Sequence, residues 1–316
     1  MKVFITQELP GNVEELLISK GMEVDVYRKN NIISKKELTK RSKNADALIC
    51  LLTNSIDRHV IDNLNQCKII ANVAAGYNNI DLGYAKSKNI IVTNTPGILS
   101  EATADLTLAL ILACARRLRE GDIFVRKNRF KAWMPRLLLG IELKGKTAGI
   151  IGAGRIGIEV AKRLLSFKTK IIYFDRNRRE NFENETRAKK VSLNNLLKNS
   201  DIISVHVPLN NDSFHLLDKN NMKLLKRSAI LVNTSRGEVI EEKYLIEILK
   251  KKKIFAAGLD VYEGEPNINP KLFKLDNVFL LPHIGSATIE TRSKMALLAA
   301  ENVVAVLSNK KPLTPL

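Results

Sequence analysis

Apolar and polar residues alternate along the first hundred residues in blocks that predict strands and helices in turn. Each short apolar run is followed by a stretch in which apolar residues recur with helical spacing. Strand followed by helix at this spacing predicts a parallel sheet covered by helices on both faces. The expected strands are Val3–Thr6, Val24–Tyr27, Ala47–Leu52, Ile69–Val73 and Ile90–Asn94, and the expected helices are Val13–Ser19, Lys35–Lys43, Asp57–Asn63 and Leu82–Lys88.

A long apolar stretch comes after Pro96-Gly97, which ends this first alternation. Ala102–Arg119 is rich in Ala and Leu, and this composition predicts a helix that is buried on most of its faces. Ser100 is the expected N-cap, with Glu101 in the first turn, where an acid suits the helix dipole. We expect this helix to begin a second domain.

The stretch Thr147–Gly157 has the pattern of a strand, a glycine-rich turn and a helix start. Gly152 permits the tight turn, Gly154 lets the backbone approach a pyrophosphate, and Gly157 allows close packing of helix on strand. The free N–H groups at the helix start can then bind the phosphates. Asp175, which lies 18 residues after position 157, stands where a ribose-binding carboxylate is expected. The stretch predicts a dinucleotide site; the alternative is a glycine-rich turn without a ligand.

The alternation then resumes and continues to the end of the chain. The expected strands are Ile171–Asp175, Ile202–Val207, Ala229–Asn233, Ala256–Val261 and Val278–Leu281, and the expected helices are Leu193–Lys198, Glu241–Lys250 and Thr288–Leu307. The last helix is expected to return to the first domain. We therefore predict an α/β protein with two doubly wound parallel-sheet domains, formed by residues 1–99 with 287–316 and by residues 100–286.

Composition supports a globular chain of two domains, since 316 residues with 45% hydrophobic content can form sizeable cores. No apolar run reaches the roughly 18 residues of a membrane span, and the N-terminus enters a strand at once. We therefore expect a cytoplasmic protein without a membrane partner. Cys50, Cys67 and Cys114 are scattered, which favours free buried thiols over disulfides or a metal site.

The net charge of +18 has two interpretations. It could serve a nucleic-acid partner or the steering of anionic ligands. It could also reflect lysines spread over every solvated face. The basic clusters Arg176–Arg179, Lys250–Lys253 and Lys310–Lys311 are small, and no basic helix carries interleaved aromatic residues. We expect no nucleic-acid partner.

Titratable residues lie at the predicted carboxyl ends of four strands, where open parallel sheets bind ligands. They are His206, Arg236, the acids Asp260, Glu263 and Glu265, and His283. Taken singly, Arg236 could form a surface salt bridge, the acids could form a solvated loop, and His283 could be a structural histidine. We interpret His206 as structural or cofactor-lining, and His59 and His215 as surface residues.

Taken together, three of these residues supply the groups that hydride transfer to a keto acid requires. Histidine is suited to deliver a proton to the carbonyl oxygen. A carboxylate behind the ring fixes it and favours the imidazolium. An arginine neutralises the substrate carboxylate and polarises the carbonyl group. His283, Glu265 and Arg236 provide this set.

The same segments, in this order, resemble the D-isomer-specific 2-hydroxyacid dehydrogenase family, and within it the glyoxylate/hydroxypyruvate reductases most. The resemblance covers nearly the whole chain. Besides the glycine turn, it rests on Ala74–Asp81, Asn94–Gly97, Ala102–Asp105, Asn233–Gly237, Gly258–Val261, Glu265–Pro266 and Pro282–Ser286.

The resemblance implies a flavodoxin-like substrate domain, a Rossmann NAD-binding domain and a role for each matching residue. Arg236 would bind substrate, Glu265 would orient His283, and His283 would act as acid and base. The N–H groups of Ala75 and Gly76 would bind the substrate carboxylate. Trp133 resembles a tryptophan that related reductases present to the active site of the partner subunit, in a homodimer formed through the cofactor domain.

The cofactor would be bound along the glycine turn and the neighbouring strand ends. The residues implied are Thr103, Gly152, Gly154, Arg155, Ile156, Gly157, Asp175, Val207, Pro208, Thr234, Asp260, His283 and Ser286. Asp175 favours NAD(H), because a carboxylate there repels a 2′-phosphate. The arginines that come after it leave NADP(H) open.

The expected reaction is reduction of a small 2-keto acid, glyoxylate or hydroxypyruvate first, to the D-2-hydroxy acid. A short D-3-phosphoglycerate dehydrogenase is one alternative. A nicotinamide-sensing protein similar to a corepressor is the other, and the high positive charge would suit it.

Overall fold

The computed structural model describes residues 1–316, which form two compact units. Unit 1 comprises Met1–Leu99 and Ser286–Leu316, and unit 2 comprises Ser100–Gly285. Unit 1 is therefore discontinuous in sequence, whereas unit 2 is one uninterrupted segment. None of the helices is both long and apolar enough to cross a membrane.

Unit 1 contains a five-stranded parallel sheet in the order β2-β1-β3-β4-β5. Its strands are β1 (Lys2–Ile5), β2 (Glu23–Val26), β3 (Ala47–Cys50), β4 (Ile69–Asn72) and β5 (Ile91–Thr93). Its helices are α1 (Val13–Ser19), α2 (Lys35–Ser42), α3 (Arg58–Asp62), α4 (Leu82–Ser87) and, from the second segment, α12 (Ile289–Leu307).

Helices cover both faces of this sheet because its central strands are apolar throughout. Every residue of β3 and β4 is buried. Residues of α1 and α12 pack on one face, and residues of α2, α3 and α4 pack on the other. The side chains of Ser34, Asp57 and Asp81 accept backbone hydrogen bonds at the starts of α2, α3 and α4.

Unit 2 contains a seven-stranded parallel sheet in the order β12-β11-β10-β9-β6-β7-β8. Its strands are β6 (Thr147–Ile151), β7 (Lys170–Phe174), β8 (Lys189–Lys190), β9 (Ile202–Val205), β10 (Ile230–Asn233), β11 (Ala256–Leu259) and β12 (Val278–Leu280). Its helices are α5 (Ser100–Ala115), α6 (Leu118–Arg126), α7 (Arg155–Ser166), α8 (Glu180–Thr186), α9 (Leu193–Asn199), α10 (Lys219–Met222) and α11 (Glu242–Lys250).

The strand order of unit 2 reverses between β6 and β9, which are neighbours in the sheet. Such a switch point is where open α/β sheets bind their ligands, outside the carboxyl ends of the strands. The glycine turn comes directly after β6 and so lies at this point. Two parallel sheets, each covered on both faces, confirm the predicted α/β fold class.

The long helix predicted for Ala102–Arg119 is instead two helices, and this prediction was wrong in two respects. The first helix, α5, begins at Ser100 itself, so Ser100 is not the N-cap. It ends at Ala115, and Arg117 adopts a left-handed conformation with φ of 52° before α6 begins. The N–H of Ile141 bonds the carbonyl of Ala115 at 2.8 Å, so a later segment satisfies this helix end.

Smaller differences concern helices without a strong apolar stripe and the ends of strands. Sequence periodicity did not indicate α8 or α10. The strand predicted as Ile202–Val207 ends at Val205, since the next residues leave the sheet toward Pro208. Thr288 is the N-cap of α12 rather than its first residue, and its side chain accepts the N–H of Thr291.

Candidate active site

The glycine turn after β6 has the geometry of a phosphate cradle. Gly152 has a φ of 95°, which favours glycine. A Cβ at Gly157 would lie 2.2 Å from the carbonyl oxygen of Gly152, so only glycine permits this approach of helix to turn. A Cβ at Gly154 would meet nothing within 4 Å, so the space above the turn is open. Gly154 is also the N-cap of the 12-residue helix α7, whose start therefore faces that space.

Arg155 and Ile156, for which the family resemblance implies cofactor contacts, are the first two residues of α7. Arg155 is exposed and Ile156 is partly buried against the core. A dinucleotide fits this turn because its open backbone and unpaired helix N–H groups suit a pyrophosphate.

Asp175 is the residue directly after β7 and lies beside the glycine turn. Its Oδ2 accepts the N–H of Ala153 at 3.1 Å and lies 3.3 Å from Nε of Arg179. Its Oδ1 accepts the N–H of Asn177 at 3.3 Å. Arg178 bonds Glu183 at 2.7 Å and Arg176 bonds Asp212 at 2.8 Å. Each of these three arginines therefore has a carboxylate partner.

A cavity of about 560 Å³ lies beside this turn and carboxylate. Its walls include Gly154, Arg155, Ile158, Arg178 and Arg179. Cofactor pockets commonly have volumes of roughly 300–1,000 Å³.

His283 and Glu265 form a hydrogen-bonded pair between the loops after β12 and β11. His283 Nδ1 lies 2.8 Å from Glu265 Oε2. Because Nδ1 faces the carboxylate, the other ring nitrogen, Nε2, is left to meet a reactant. His283 adopts a φ of 55°, which is a strained conformation for a residue other than glycine. The structure thus brings together two of the three residues that the sequence proposed for the chemistry.

Glu265 is kept ionised by its neighbours. Burial alone acts to raise its pKa, but the hydrogen bond and positive charge of His283, the N–H of Tyr262 and the charge of Arg236 act in the opposite direction. The pKa of Glu265 is lowered as a result. The Tyr262 N–H donates to Oε1 at 2.8 Å, so both carboxylate oxygens have a partner. Glu265 is therefore a charged acceptor that fixes the orientation of the His283 ring through Nδ1.

Arg236 lies in the loop after β10 and has no carboxylate partner within ion-pair distance. Its Nη1 donates to the carbonyl of Ser235 at 2.7 Å. Asn233 holds the loop, since its amide donates to the carbonyl of Arg236 and its oxygen accepts the Ser235 N–H. Burial lowers the pKa of Arg236, against the opposing charges of Glu265 and Glu238. A partly buried guanidinium without an ion partner suits an anionic ligand.

Asp260, at the end of β11, is buried, and its carboxylate faces the loop of His283. It accepts the N–H groups of Ile284 at 2.7 Å and Gly285 at 2.8 Å. Burial raises the pKa of Asp260, although these two N–H groups and His283 oppose the shift. The Thr103 hydroxyl donates to the carbonyl of Gly285 at 3.2 Å.

Two further predicted cofactor residues have hydroxyl groups. Thr234 is buried, and its hydroxyl lies 2.9 Å from that of Thr107. Since Thr107 donates to the carbonyl of Thr103 at 2.7 Å, Thr234 is the donor in the contact between the two hydroxyls. Ser286 begins the second segment of unit 1, and its carbonyl accepts the N–H of Thr288 at 2.9 Å.

Val207 and Pro208 lie in the loop after β9, beside the glycine turn. The nearest atoms to a Cβ at Gly152 are those of His206 at 2.7 Å, and the next is Val207 Cγ1 at 2.9 Å. Burial lowers the pKa of His206 to about 3, so this ring is neutral at physiological pH. Its Nε2 lies 2.7 Å from the Ser204 hydroxyl. This neutral, partly buried ring is compatible with either predicted role of His206, structural or cofactor-lining.

The predicted carboxylate-binding residues of unit 1 lie in the loop after β4. The carbonyl of Ala75 accepts the side-chain amide of Asn94 at 2.7 Å, and that of Gly76 accepts Asn72 at 2.9 Å. Both carbonyls are therefore fixed, whereas the N–H groups of Ala75 and Gly76 donate to no acceptor within the structure. Trp133 lies in the irregular segment after α6 and is 79% exposed.

His215 was expected to be a surface residue, and its side chain is 30% exposed. It is half-buried, and its Nε2 lies 3.0 Å from Glu263 Oε1. The two residues are 48 positions apart, and no pattern in the sequence links them. His59 is exposed, as predicted.

Cys50, Cys67 and Cys114 are free and buried, and burial raises the pKa of Cys67 and Cys114 to about 12.

Tyr262 is the residue near the pair that sequence reasoning missed. It is 2% exposed, and its hydroxyl and its N–H both contact the loops described above. The only sequence signal was its position between Asp260 and Glu265.

No group of three or more His, Cys, Asp or Glu side chains is arranged to hold a metal ion.

Comparison with known proteins identifies relatives along the whole chain. The family model of the D-isomer specific 2-hydroxyacid dehydrogenase NAD binding domain matches residues 108–285. A glyoxylate reductase from Thermococcus litoralis is 46% identical over 98% of this chain and 95% of its own. A crystal structure of a protein from Thermus thermophilus has a TM-score of 0.95 at 42% identity, with 100% of both chains covered.

A more distant solved structure contains bound ligands. It is an NADPH-dependent glyoxylate/hydroxypyruvate reductase from Sinorhizobium meliloti in complex with NADP and malonate. It has a TM-score of 0.87 at 28% identity and covers 100% of this chain and 96% of its own.

Proposed function

The chain belongs to the D-isomer-specific 2-hydroxyacid dehydrogenase family, and on that premise we propose that it reduces glyoxylate or hydroxypyruvate to the corresponding D-2-hydroxy acid (glyoxylate gives achiral glycolate). The family is one of oxidoreductases that bind a nicotinamide cofactor and a small acid. The observation that carries the proposal is the pair of His283 Nδ1 and Glu265 Oε2 at 2.8 Å, with the unpartnered guanidinium of Arg236 on the same edge of the sheet. The relatives that act on glyoxylate supply the choice of substrate.

Each of the three side chains has a defined task in this reaction. The guanidinium of Arg236 binds the substrate carboxylate and polarises the adjacent carbonyl group. His283 donates the proton from Nε2 to the carbonyl oxygen, and Glu265 stabilises the imidazolium before that transfer. The bound nicotinamide supplies the hydride. In the reverse direction, Nε2 removes the hydroxyl proton, and the same carboxylate stabilises the charged ring that forms.

The free N–H groups of Ala75 and Gly76 are proposed to bind the substrate carboxylate. This proposal is supported by the fixed carbonyls of both residues, because a loop held in this way presents its N–H groups without further ordering.

We propose NADH as the preferred cofactor. Asp175 carries a negative charge where a 2′-phosphate would otherwise fit, and it can accept a hydrogen bond from a 2′-hydroxyl. Arg179 already contacts Asp175, and Arg176 and Arg178 have their own carboxylate partners. These carboxylates compete with a 2′-phosphate for the same guanidinium groups, which disfavours NADPH.

We also propose a homodimer formed through unit 2. Six large apolar side chains between residues 118 and 139 are more than half exposed, and clusters of this kind mark protein interfaces. They are Leu118, Val125, Phe130, Trp133, Met134 and Leu139. Light scattering after size-exclusion chromatography should give twice the 35.4 kDa chain mass for the wild type and one chain mass for Val125→Asp. Ile289→Asp, at a residue 82% exposed in unit 1, is the control and should leave the dimer intact.

Oxidation of NADH and NADPH by the purified protein, monitored by absorbance, tests the function. Glyoxylate, hydroxypyruvate, pyruvate and phosphohydroxypyruvate are compared at equal concentration. The proposal expects the highest kcat/KM with glyoxylate or hydroxypyruvate and with NADH. Preference for phosphohydroxypyruvate would instead identify a phosphoglycerate dehydrogenase. No turnover with any of them, while nicotinamide binding persists, would reject the proposed reaction.

A further inference from the structure

Tyr262 touches all three loops that carry the proposed chemistry. Its hydroxyl donates to the carbonyl of Leu281 at 2.7 Å, in the loop of the histidine. Its backbone N–H donates to Glu265 Oε1 at 2.8 Å. Its backbone also packs closely against Gly237, the residue after Arg236. A Cβ added at Gly237 would lie only 1.9 Å from the carbonyl carbon of Tyr262. These three contacts meet at one residue.

The hydroxyl contact matters because Leu281 lies just before the catalytic histidine in the chain. Only Pro282 separates it from His283, whose φ of 55° is sparsely populated for a residue with a Cβ. Strained conformations at functional sites are held in place by the surrounding structure. On the far side, the Asp260 carboxylate accepts the two N–H groups of the residues after His283. On the near side, the side chain that holds the backbone is the Tyr262 hydroxyl.

The hydroxyl is well suited to this task. The ring is 2% exposed and packs in the hydrophobic core of unit 2, so the position of the oxygen is set by packing. The oxygen also lies 3.2 Å from the carbonyl of Leu259, the last residue of β11. One O–H can donate to one acceptor at a time, and the shorter contact is the one to Leu281. Burial and, to a lesser extent, nearby carboxylates raise the pKa of Tyr262, so the hydroxyl keeps its proton.

We propose that Tyr262 is a positioning residue for the reaction. Its hydroxyl holds the strained loop of His283, its N–H holds the second oxygen of Glu265, and its backbone sets the path of the Arg236 loop through Gly237. The inference rests on the proposed function only for its kinetic consequence. Its structural consequence, a fixed imidazole at His283, is independent of which substrate is used.

Tyr262→Phe is the direct test because it keeps the ring and removes the hydroxyl alone. We expect kcat for the keto acid to fall about tenfold while KM for NADH stays within about twofold. The solvent deuterium isotope effect on kcat should increase, because proton transfer from a less well oriented imidazole becomes slower. Tyr27→Phe is the matched control, since Tyr27 is 4% exposed and its hydroxyl bonds Asn31 at 2.9 Å in unit 1. It should change none of these values.

Nitrogen NMR of the histidine rings gives a readout that does not require turnover. The chain has only four histidines, and the ring signals of His283 should shift in Tyr262→Phe while those of His59 stay in place. If the wild-type protein turns over no keto acid but Tyr262→Phe still shifts the His283 signals, the proposed substrate is rejected and the positioning role is supported. Unchanged His283 signals in the folded Tyr262→Phe protein would overturn the inference, as would a kcat within twofold of wild type.

Discussion

Replacing Glu265 by Gln isolates the charge of the carboxylate behind the catalytic histidine. Gln has nearly the same shape, and its amide oxygen can still accept the proton on His283 Nδ1. The pair is 2.8 Å apart, and its side chains are 37% and 31% exposed for His283 and Glu265. A Coulomb energy of about 6 kcal/mol would be expected at this distance for an effective dielectric constant near 20. Partial exposure screens the pair, so this value is an upper bound.

Hydrogen-bond energies give a better measure of the loss. A hydrogen bond to a charged group is worth about 1.5–3 kcal/mol and a neutral one about 0.5–1.5 kcal/mol. The change to Gln should therefore cost about 1–2 kcal/mol of imidazolium stabilisation. At about 1.4 kcal/mol per tenfold change, kcat for keto-acid reduction should fall roughly 5- to 30-fold.

The assay is keto-acid reduction by NADH across pH 5 to 9, with Glu263→Gln as the control. Glu263 lies in the same loop but pairs with His215, so loss of its charge should alter kcat by less than about twofold. The reasoning is refuted if the folded Glu265→Gln protein keeps a kcat within twofold of wild type. It is also refuted if Glu263→Gln has the same effect.

The same variant has a consequence for stability, whose sign is set by the lowered pKa of Glu265. A carboxylate with a depressed pKa stabilises the fold above its unfolded pKa of about 4.3, and this contribution is lost as the pH falls through the folded-state value. The difference in unfolding free energy between wild type and Glu265→Gln should therefore be largest near neutral pH and diminish in acid.

Three further substitutions test other parts of the site, and a fourth, Gly83→Ala, is the control for Gly157→Ala. Arg236→Lys should lower kcat/KM for the keto acid at least about tenfold, because a point charge replaces the bidentate fork, while the Kd for NADH stays unchanged; an unaltered kcat/KM argues against this contact. Asp175→Ala should reduce the ratio of kcat/KM for NADH over NADPH about tenfold or more, and a ratio that does not move means that Asp175 does not contact the ribose. Gly157→Ala should lower the free energy of unfolding by about 2 kcal/mol or more and weaken NADH binding, because the new Cβ would lie 2.2 Å from the Gly152 carbonyl. Gly83→Ala, whose Cβ would meet nothing closer than 3.9 Å, should be neutral or stabilising by up to about 1 kcal/mol in a denaturant titration.

The elements that sequence reasoning predicted well are those whose environment repeats along the chain. Strands such as Ile230–Asn233 are buried on both faces and therefore appear as unbroken apolar runs. Helix α1 has the predicted bounds. The glycine turn was also predictable, because Gly152 has a positive φ and Gly157 has no room for a Cβ. The family resemblance built on these motifs is confirmed by relatives over almost the whole chain.

The features that sequence reasoning missed depend on contacts between distant segments. The composition of Ala102–Arg119 predicted one helix, whereas Arg117 turns the chain in the left-handed region. The partner that satisfies this helix end, Ile141, lies far along the chain. In the sequence, Tyr262 is one more apolar residue at a strand end, and only the structure places its hydroxyl against the carbonyl of Leu281. Neither of these two hydrogen bonds produces a periodic pattern in the sequence.

The divided sequence of unit 1 has a consequence for the order in which the protein is made. The sheet face formed by residues such as Ile49 and Ala71 is covered in part by α12, which is translated after unit 2. Asn302 and Thr314 then fasten the final segment, and the N–H of Leu316 bonds the carbonyl of Val92. While the ribosome makes residues 100–285, α1 is the only helix of the first segment on this apolar sheet face, and the part that α12 will cover is exposed. Unit 2, being continuous, can fold first, and we expect the nascent first segment to depend on chaperones until α12 emerges.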